Sequence, residues 1–365
     1  MTTDSATLAR RTTKLVAALG VVGLTLAAAA CGEAPAESPE QPAGDYQACM
    51  VTDIGGIDDR SFNASAWQGL LNAAEQSDQF AEPQNVSSAA EADYVPNLNG
   101  FVQQGCDFIL AVGGLMFDAT TQAAQANPEQ QFAIVDAKID LPNVYSMQFD
   151  TAQAAFLAGY LAAGYSKSGT VATYGGLNIP PVTIFMDGFV DGVAHYNQVK
   201  NANVKVLGWD KESQQGTFAE SFVDQAKGKA ISDAFVAQGA DVIMPVAGGT
   251  GLGTADGALA SNGAYSVIWV DVDGCQSAEQ YCSVFLTTVV KNIPDAVRDA
   301  AINASTATGL LSGGSIGTLE NNGVSIAPYH EFDGKIDQAL KDEVEQLKQD
   351  IINGTITVTS PSQPK

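Results

Sequence analysis

Residues 48–77, "ACMVTDIGGIDDRSFNASAWQGLLNAAEQS", join a short apolar run to a helix-like segment through a loop rich in glycine and aspartate. The run from Cys49 to Thr52 is typical of a buried strand, and the segment from residue 61 onward has helical spacing. A loop that only connects a strand to a helix does not need so many polar and aromatic side chains. The segment therefore predicts a βα unit whose loop holds a ligand.

The same alternation of apolar runs and helix-like stretches continues along the chain. Further strand-like runs occur at residues 108–114, 131–137, 170–176, 204–209, 241–249 and 265–273. This order predicts parallel βα units with helices on both faces of a sheet and right-handed crossovers. A chain of 365 residues with 45% hydrophobic and 16% charged residues fits two such α/β lobes better than one core.

The first 30 residues predict a lipoprotein signal peptide. Arg10, Arg11 and Lys14 precede an apolar stretch from Leu15 to Ala30, which is short for a membrane span and ends at Cys31. We expect cleavage before Cys31 and acylation of its thiol, although an ordinary secretory signal with a chance cysteine is the alternative. Residues 31–45, rich in Pro, Ala and Glu, would be a flexible tether that holds the protein at the extracytoplasmic face of the cell membrane.

Composition and motifs exclude several classes of function. A formal charge of −24 argues against a nucleic-acid partner, because phosphate binding needs a basic surface. The two histidines, His195 and His330, lack metal-ligand spacing, and we expect both to be surface or satisfied polar residues. The chain has no P-loop, no nucleophile elbow and no recognisable acid–base pair. We therefore expect a binding site without a reaction, a metal or a cofactor.

Four cysteines remain once Cys31 is assigned to lipid. An even number of cysteines in an exported chain suggests disulfides. We prefer the pairings Cys49–Cys106 and Cys275–Cys282, because the first two lie in strand-like runs and the other two could close a short loop. Buried free thiols are the alternative.

Acidic residues and glycines follow five of the predicted strands. In open α/β sheets, ligands lie beyond the carboxyl ends of the strands. The residues at these ends are Asp53, Gly113 with Gly114, Asp136, the "AGGTG" segment at 247–251, and Asp271. Their shared position predicts one binding site at one edge of the sheets.

The side chains near these ends suit a base joined to a sugar. Phe62 can stack on a flat heterocycle, while Asp53 and Asn63 read its polar edge. Carboxylates at Asp136 and Asp271 can accept hydrogen bonds from the vicinal hydroxyls of a ribose. Lys291 can donate to the same sugar or neutralise an aspartate, whereas Trp67 and Phe189 are predicted to belong to the core.

The segment "TDIGGIDDRSFNASAWQGL" strongly resembles the basic membrane protein family of lipoproteins, which includes purine-nucleoside receptors of ABC importers. Further matching segments are "FAIVD" (132–136), "PPVTIFMDGFVDGV" (180–193), "FVDQAKGK" (222–229), "QGADVIMPVAGGTG" (238–251), "VDVD" (270–273) and "LTTVVKN" (286–292). The resemblance implies a type I periplasmic-binding-protein fold, in which two Rossmann-like lobes are joined by three crossover segments.

By analogy, the crossovers would fall near Asp150, Asp273 and Ser315. Lobe one would then comprise residues 46–150 plus 274–315, and lobe two residues 151–273 plus 316–358, with a tail at 359–365.

The resemblance also implies roles for individual residues. Phe62 would stack on a purine, and Asn63 and Asp53 would contact its edge. The second stacking ring would be Phe222, although Gln225 replaces a proline of the family pattern and Trp209 is a rival for this role. The remaining implied ligand-binding residues are Asp136, the turn glycines Gly248 and Gly251, and the ribose-binding pair Asp271 and Lys291.

These observations favour a lipid-anchored receptor that captures a nucleoside and delivers it to an ABC permease. The same fold could instead hold a sugar or another small polar ligand. A nucleoside hydrolase is a third hypothesis, but "DIGGIDD" (53–59) has the wrong spacing and order for the aspartate motif of those enzymes.

Overall fold

The structure is a computed structural model that describes residues 44–364. The predicted signal peptide, the lipidation site Cys31 and nearly all of the predicted tether lie outside the described residues.

The strands, in chain order, are β1 (Ala48–Ile54), β2 (Gln84–Ser88), β3 (Phe108–Val112), β4 (Gln131–Val135), β5 (Val144–Phe149), β6 (Thr170–Gly175), β7 (Lys205–Leu207), β8 (Trp209–Asp210), β9 (Gln215–Gly216), β10 (Val242–Val246), β11 (Ser266–Asp271), β12 (Phe285–Lys291), β13 (Gly313–Gly317) and β14 (Val324–Ile326). The α-helices are α1 (Phe62–Gln76), α2 (Tyr94–Gln104), α3 (Phe117–Ala126), α4 (Thr151–Tyr165), α5 (Pro180–Lys200), α6 (Gln225–Ala237), α7 (Gly251–Ala260), α8 (Gly274–Ser277), α9 (Ile293–Thr306) and α10 (Gln338–Ile352).

Two six-stranded sheets form the framework. The first has the order β13-β5-β4-β3-β1-β2, and every pair in it is parallel. The second has the order β14-β12-β11-β10-β6-β7 and is parallel except for the pair of β12 with β14. The two orders correspond strand by strand, so β4 and β11 occupy equivalent places. The predicted α/β class with two Rossmann-like sheets is confirmed.

The apolar runs are buried because helices cover both faces of each sheet. Every residue of β3, β4 and β10 is buried, as expected for central parallel strands. We call each six-stranded sheet, together with the helices packed on it, one half of the protein. In the second half, α4 and α5 approach so closely that a Cβ at Gly192 would overlap the carbonyl oxygen of Phe156. Phe189 is fully buried in this contact, as predicted, and Trp67 is half-buried against the core.

The chain passes between the sheets three times. It does so at Asp150, at Asn292, and between β13 and β14. The predicted crossing near Asp273 is therefore wrong, because β12 pairs with β11 and β14 and extends the second sheet. Residues 274–291 belong with the second sheet, and α9, which follows them, packs on α1 beside the first.

The predicted tail at residues 359–365 is held against the fold over its described part. Ser360 Oγ donates to Asp187 Oδ2 at 2.5 Å. Gln363 Nε2 donates to Asp150 Oδ2 at 3.2 Å, so this segment reaches the first crossing. These hydrogen bonds pack residues 359–364 against α5 and the crossing at Asp150, a contact that a short polar sequence does not reveal.

Both predicted disulfides are present. Cys49 at the start of β1 is bonded to Cys106, and Cys275 in α8 is bonded to Cys282. The first bridge closes a sequence separation of 57 residues and the second a separation of 7. The longer loop loses more conformational entropy in the unfolded chain when it is closed.

We expect replacement of Cys49 and Cys106 by serine to lower the free energy of unfolding by about 2–4 kcal/mol. The matched variant with Cys275 and Cys282 replaced should lose less, because its loop is shorter. Urea unfolding of both variants and the wild type measures the difference. An equal loss, or a larger loss in the second variant, would contradict the loop-length argument.

Candidate functional site

A cavity lies between the two sheets, where the carboxyl ends of their strands meet. It encloses about 570 Å³ of unfilled space, including the part open to solvent. Its walls come from both halves of the chain and comprise Asp53, Ile54, Gly55, Asp59, Phe62, Asn63, Gly113, Gly114, Asp136, Ile179, Pro181, Val182, Phe185, Phe222, Val246, Gly248, Gly249, Asp271 and Lys291. The structure therefore brings together eight of the nine predicted ligand-binding residues: Asp53, Phe62, Asn63, Asp136, Phe222, Gly248, Asp271 and Lys291.

Asp59 organises the loop that carries the first aromatic wall. Its carboxylate accepts hydrogen bonds from the backbone N–H groups of Ser61, Asn63 and Ala64, at 3.0, 2.8 and 3.0 Å. These are the free donors at the start of α1, which a helix leaves without intrahelical partners. This cap fixes the backbone at the start of α1 and therefore the directions of the Phe62 and Asn63 side chains.

Asp53 and Asn63 form a polar pair on the cavity wall. Asn63 Nδ2 donates to Asp53 Oδ1 at 3.1 Å, and both side chains are buried. Gly113 must be glycine here, because its φ is +116° and a Cβ would overlap the Asp53 carboxylate. The close backbone approach explains why a glycine follows β3 at this position.

The environment of Asp53 favours its protonated form. Burial raises the pKa of this carboxyl to about 8, and the charges of Asp59 and Asp136 act in the same direction. The hydrogen bond from Asn63 and the charge of Lys291 oppose this shift. A protonated carboxyl donates one hydrogen bond and accepts others, so Asp53 can read either kind of polar atom.

Lys291 lies at the centre of the site and joins the two sheets. It ends β12 of the second sheet, and its Nζ contacts Asp136 Oδ2 of the first sheet at 2.5 Å. The same Nζ is 3.8 Å from Asp271 Oδ1 and 4.7 Å from the centre of the Phe62 ring. The lysine is only 2% exposed, and these partners offset the cost of removing its ammonium group from water.

Asp136 and Asp271 occupy equivalent ends of β4 and β11 and share an unusual backbone. Their φ angles are +66° and +72°, in the left-handed region that non-glycine residues seldom adopt. Backbone strain of this kind concentrates at functional sites, where the surrounding structure holds it. Burial raises the pKa of both carboxyls, that of Asp271 to about 6, while the charge of Lys291 lowers both.

Phe222 provides the second aromatic wall of the cavity. Its ring lies directly against Gly176, where a Cβ would overlap it, and near Gly248, whose φ is +50°. Trp209, its predicted rival, is placed elsewhere. The indole Nε1 of Trp209 donates to the buried Asp187 at 2.9 Å, and its ring packs on Phe218.

Gly251 was predicted as a ligand-binding residue, but it does not line the cavity. It begins α7, and a Cβ there would lie 3.0 Å from the ring of Trp269. The glycine therefore serves the packing of α7 on the second sheet. The turn "AGGTG" has mixed roles, because Gly248 and Gly249 line the cavity and Gly251 does not.

The start of α5 is a part of the site that the sequence reasoning missed. Ile179, Pro181, Val182 and Phe185 line the cavity from the second half. The last three belong to "PPVTIF" (180–185), whose prolines are typical of a helix start, and Ile179 directly precedes it. A predicted helix start at the carboxyl end of a strand was therefore the sequence signal that could have identified these residues.

The histidines lie away from the cavity. His330 Nε2 is 2.8 Å from Asp273 Oδ2, and His195 packs beside Phe156 and Tyr160. Asp273, Cys275 and His330 are close enough to ligate a metal ion. The Cys275 sulfur, however, is bonded to Cys282, so it is not available as a thiolate.

The protonation of Asp53 predicts a dependence of stability on pH. Its raised pKa favours folding most at low pH, and this contribution is lost as the pH rises from about 4 through 8. We expect the Asp53→Asn variant to lose less stability between pH 6 and 8, because the amide keeps the neutral shape. The slope should differ by up to about 1.4 kcal/mol per pH unit.

Urea unfolding across this pH range measures the effect. Asp118→Asn, at an exposed position of α3 outside the cavity, is the control and should keep the wild-type slope. Parallel curves for the wild type and Asp53→Asn would contradict the assignment of a proton to Asp53.

Two α/β sheets that are joined by three chain crossings and have a cavity at their strand ends form the type I periplasmic-binding-protein fold. The structure is similar to a crystal structure of an ABC transporter solute-binding protein from Aeropyrum pernix K1, with a TM-score of 0.76 and 24% identity. The similarity covers 87% of this chain and 94% of that one and concerns the fold alone.

The chain belongs to the Bmp family, whose description is ABC transporter substrate-binding protein PnrA-like and whose family model matches residues 46–362. It is 32% identical to the ABC transporter nucleoside-binding protein BmpA of Lactococcus lactis subsp. cremoris, over 87% of this chain and 90% of the relative. It is 33% identical to the CD4+ T-cell-stimulating antigen of Listeria monocytogenes, over 88% and 89%. The resemblance to the basic membrane protein family is thus confirmed.

Within residues 44–364, no helix combines the length and the apolar character needed to cross a membrane.

Proposed function

We propose that this protein binds a nucleoside, with purine nucleosides as the first candidates, in the cavity between its sheets. The observation that carries the proposal is the convergence of two aromatic walls, Phe62 and Phe222, with polar groups of two kinds. One kind is the Asp53–Asn63 pair, and the other is the cluster of Asp136, Asp271 and Lys291.

The aromatic walls and the Asp53–Asn63 pair suit the base. Rings from opposite halves of the chain can cover both faces of a heterocycle and exclude water from it. A protonated Asp53 and the amide of Asn63 each offer a donor and an acceptor. The 6-amino and 6-oxo edges of purines both present one donor beside one acceptor, so this pair matches either edge.

The cluster around Lys291 suits the pentose. Carboxylates accept hydrogen bonds from hydroxyls, and the lysine donates one to a sugar oxygen. Asp271 keeps an oxygen that lies 3.8 Å from Lys291, outside the tight ion pair. That oxygen remains available to a hydroxyl of the ligand.

The mechanism we infer is closure of the two halves around an unchanged ligand, not catalysis. The ion pair of Lys291 with Asp136 joins the two sheets at the cavity, beside the crossing at Asn292, and would hold the halves together as they close. Hinge closure of this kind would present a combined surface that a permease of an ABC importer recognises. Acylation of Cys31 would hold the receptor at the extracytoplasmic face of the cell membrane.

The Lactococcus relative supports this proposal, because its name describes a nucleoside-binding protein of an ABC transporter. A sugar or another small polar ligand would use the same carboxylates but would leave the base-reading pair without a role. A hydrolase would release free base from inosine, which chromatography of an incubated sample detects.

We expect adenosine, guanosine or inosine to bind more tightly than cytidine, and ribose to bind least. Phe62→Ala and Phe222→Ala should each weaken nucleoside binding by about 1–3 kcal/mol, because each removes one stacking face. Isothermal titration calorimetry measures both series. The control is Phe117→Ala, an exposed phenylalanine of α3 that does not line the cavity.

Two outcomes would overturn the proposal. If no nucleoside binds at sub-millimolar concentration, the assigned ligand class is wrong. If ribose competes better than any nucleoside, the cavity is a sugar site. An equal effect of Phe117→Ala and the two cavity variants would remove the argument for stacking.

We also expect the site to reject phosphorylated ligands. Besides the protonated Asp53, three carboxyl groups line the cavity, at Asp59, Asp136 and Asp271, against the one lysine. A phosphate dianion brought beside ionised carboxylates in a dry cavity is strongly repelled. Adenosine 5′-monophosphate should bind about a hundredfold more weakly than adenosine, a ratio set by 2.7 kcal/mol or so of repulsion. Equal affinities in calorimetry would show that the phosphate lies outside the acidic region.

A further inference from the structure

Ser61 makes a hydrogen bond that crosses from one half of the chain to the other. It precedes α1 beside the first sheet, and its Oγ donates to Asp271 Oδ2 at the end of β11 in the second sheet, at 2.7 Å. The carbonyl oxygen of Val270 lies 3.2 Å from the same hydroxyl. Ser61 is fully buried, so its hydroxyl has no contact with solvent.

The usual role of a serine at this position does not explain the contact. Serine is common at helix N-caps because its side chain accepts a hydrogen bond from the first turn. Ser61 makes no such capping bond, and Asp59 accepts from the free N–H groups instead. The hydroxyl of Ser61 is thereby left to bond across the cavity.

The neighbours of Ser61 connect this bond to both ends of the site. Phe62 and Asn63 follow it directly in the chain, and Asp59 holds the backbone of this turn. Its partner Asp271 belongs to the cluster around Lys291 and has a left-handed φ of +72°. A rigid turn therefore links the first aromatic ring to a strained carboxylate of the opposite half.

We propose that Ser61 is a positioning residue that couples the base-stacking turn to Asp271 and holds the closed form of the cavity. By engaging Oδ2, it leaves Oδ1 of Asp271 facing Lys291, where we placed the sugar. This inference deepens the proposed nucleoside binding and rests on it for its effect on affinity. The bond itself requires only the two halves of the protein, so it can also be tested without a ligand.

The test compares Ser61→Ala with Ser65→Ala in the full chain. Ser65 lies in α1, the helix that Ser61 precedes, and is also buried, but its Oγ donates within the helix to the carbonyl oxygen of Phe62. Stopped-flow measurements with adenosine at pH 7.5 give the association and dissociation rates. We expect the dissociation rate of Ser61→Ala to be about tenfold higher, because this variant loses a hydrogen bond to a charged group.

For Ser65→Ala we expect less than a twofold change in the dissociation rate. A double-mutant cycle with Asp271→Asn then isolates the pair, because removal of Ser61 Oγ should matter little once its charged acceptor is gone. Equal dissociation rates for Ser61→Ala and Ser65→Ala, or additive effects in the cycle, would overturn the proposal.

Hydrogen exchange of the ligand-free protein separates this proposal from that of nucleoside binding. We expect Ser61→Ala to speed amide exchange by about fivefold or more at residues 268–272 of the opposite sheet. Ser65→Ala should leave that segment unchanged. If adenosine fails to bind but this difference is present, the ligand assignment is wrong and the coupling stands. If the segment exchanges alike in both variants, the coupling is wrong whatever the ligand.

Discussion

The ion pair of Lys291 with Asp136 is the contact on which the rest of the site depends. It joins the last residue of β12 to the residue after β4, so it fixes how close the two sheets lie at their carboxyl ends. An ammonium group that is 2% exposed would be strongly destabilising without a carboxylate partner. The rings of Phe62, Phe149 and Phe185, 4.7–5.6 Å from its nitrogen, exclude water and add weaker attraction. The aromatic rings and the charged cluster therefore stabilise each other.

One lysine cannot neutralise all the acidic residues around the cavity, and each of these residues has a different set of partners. Asp136 takes the ion pair, and Asp59 is held by three backbone N–H groups. Asp271 accepts from Ser61 and keeps a weaker contact with Lys291. Asp53 has only an amide partner among the nearest groups, and burial raises its pKa to about 8. The net result is a site that is less anionic than its composition suggests and can hold an uncharged polar ligand.

The sequence predicted those features that depend on local pattern. Apolar runs followed by helices revealed the βα units, and the aspartates at the carboxyl ends of β1, β4 and β11 marked the edge where the cavity lies. Prediction from the sequence failed where the outcome depends on contacts with residues that are distant in the chain. The sheet that β12 joins is decided by its pairing with β11 and β14, and nothing in its own residues records this. Gly251 looked like part of a binding turn because its contact with Trp269 is invisible in the sequence. The role of Ser61 was hidden for the same reason, since its partner lies 210 residues away.

The correspondence between the two sheets explains why such distant residues meet. Asp136 and Asp271 end equivalent strands with the same left-handed backbone, so each half presents one carboxylate to the shared cavity. The equivalence stops there, because only the first half carries Asp53 with its Asp59-capped turn, and only the second carries Lys291. A symmetric pair of carboxylates would repel, and closure would bring them together in a medium where repulsion grows. Lys291, which only the second half carries, replaces that repulsion with attraction between the halves. In the proposed receptor, a ligand that hydrogen-bonds these carboxylates would strengthen the same closure, whereas an added negative charge would work against it.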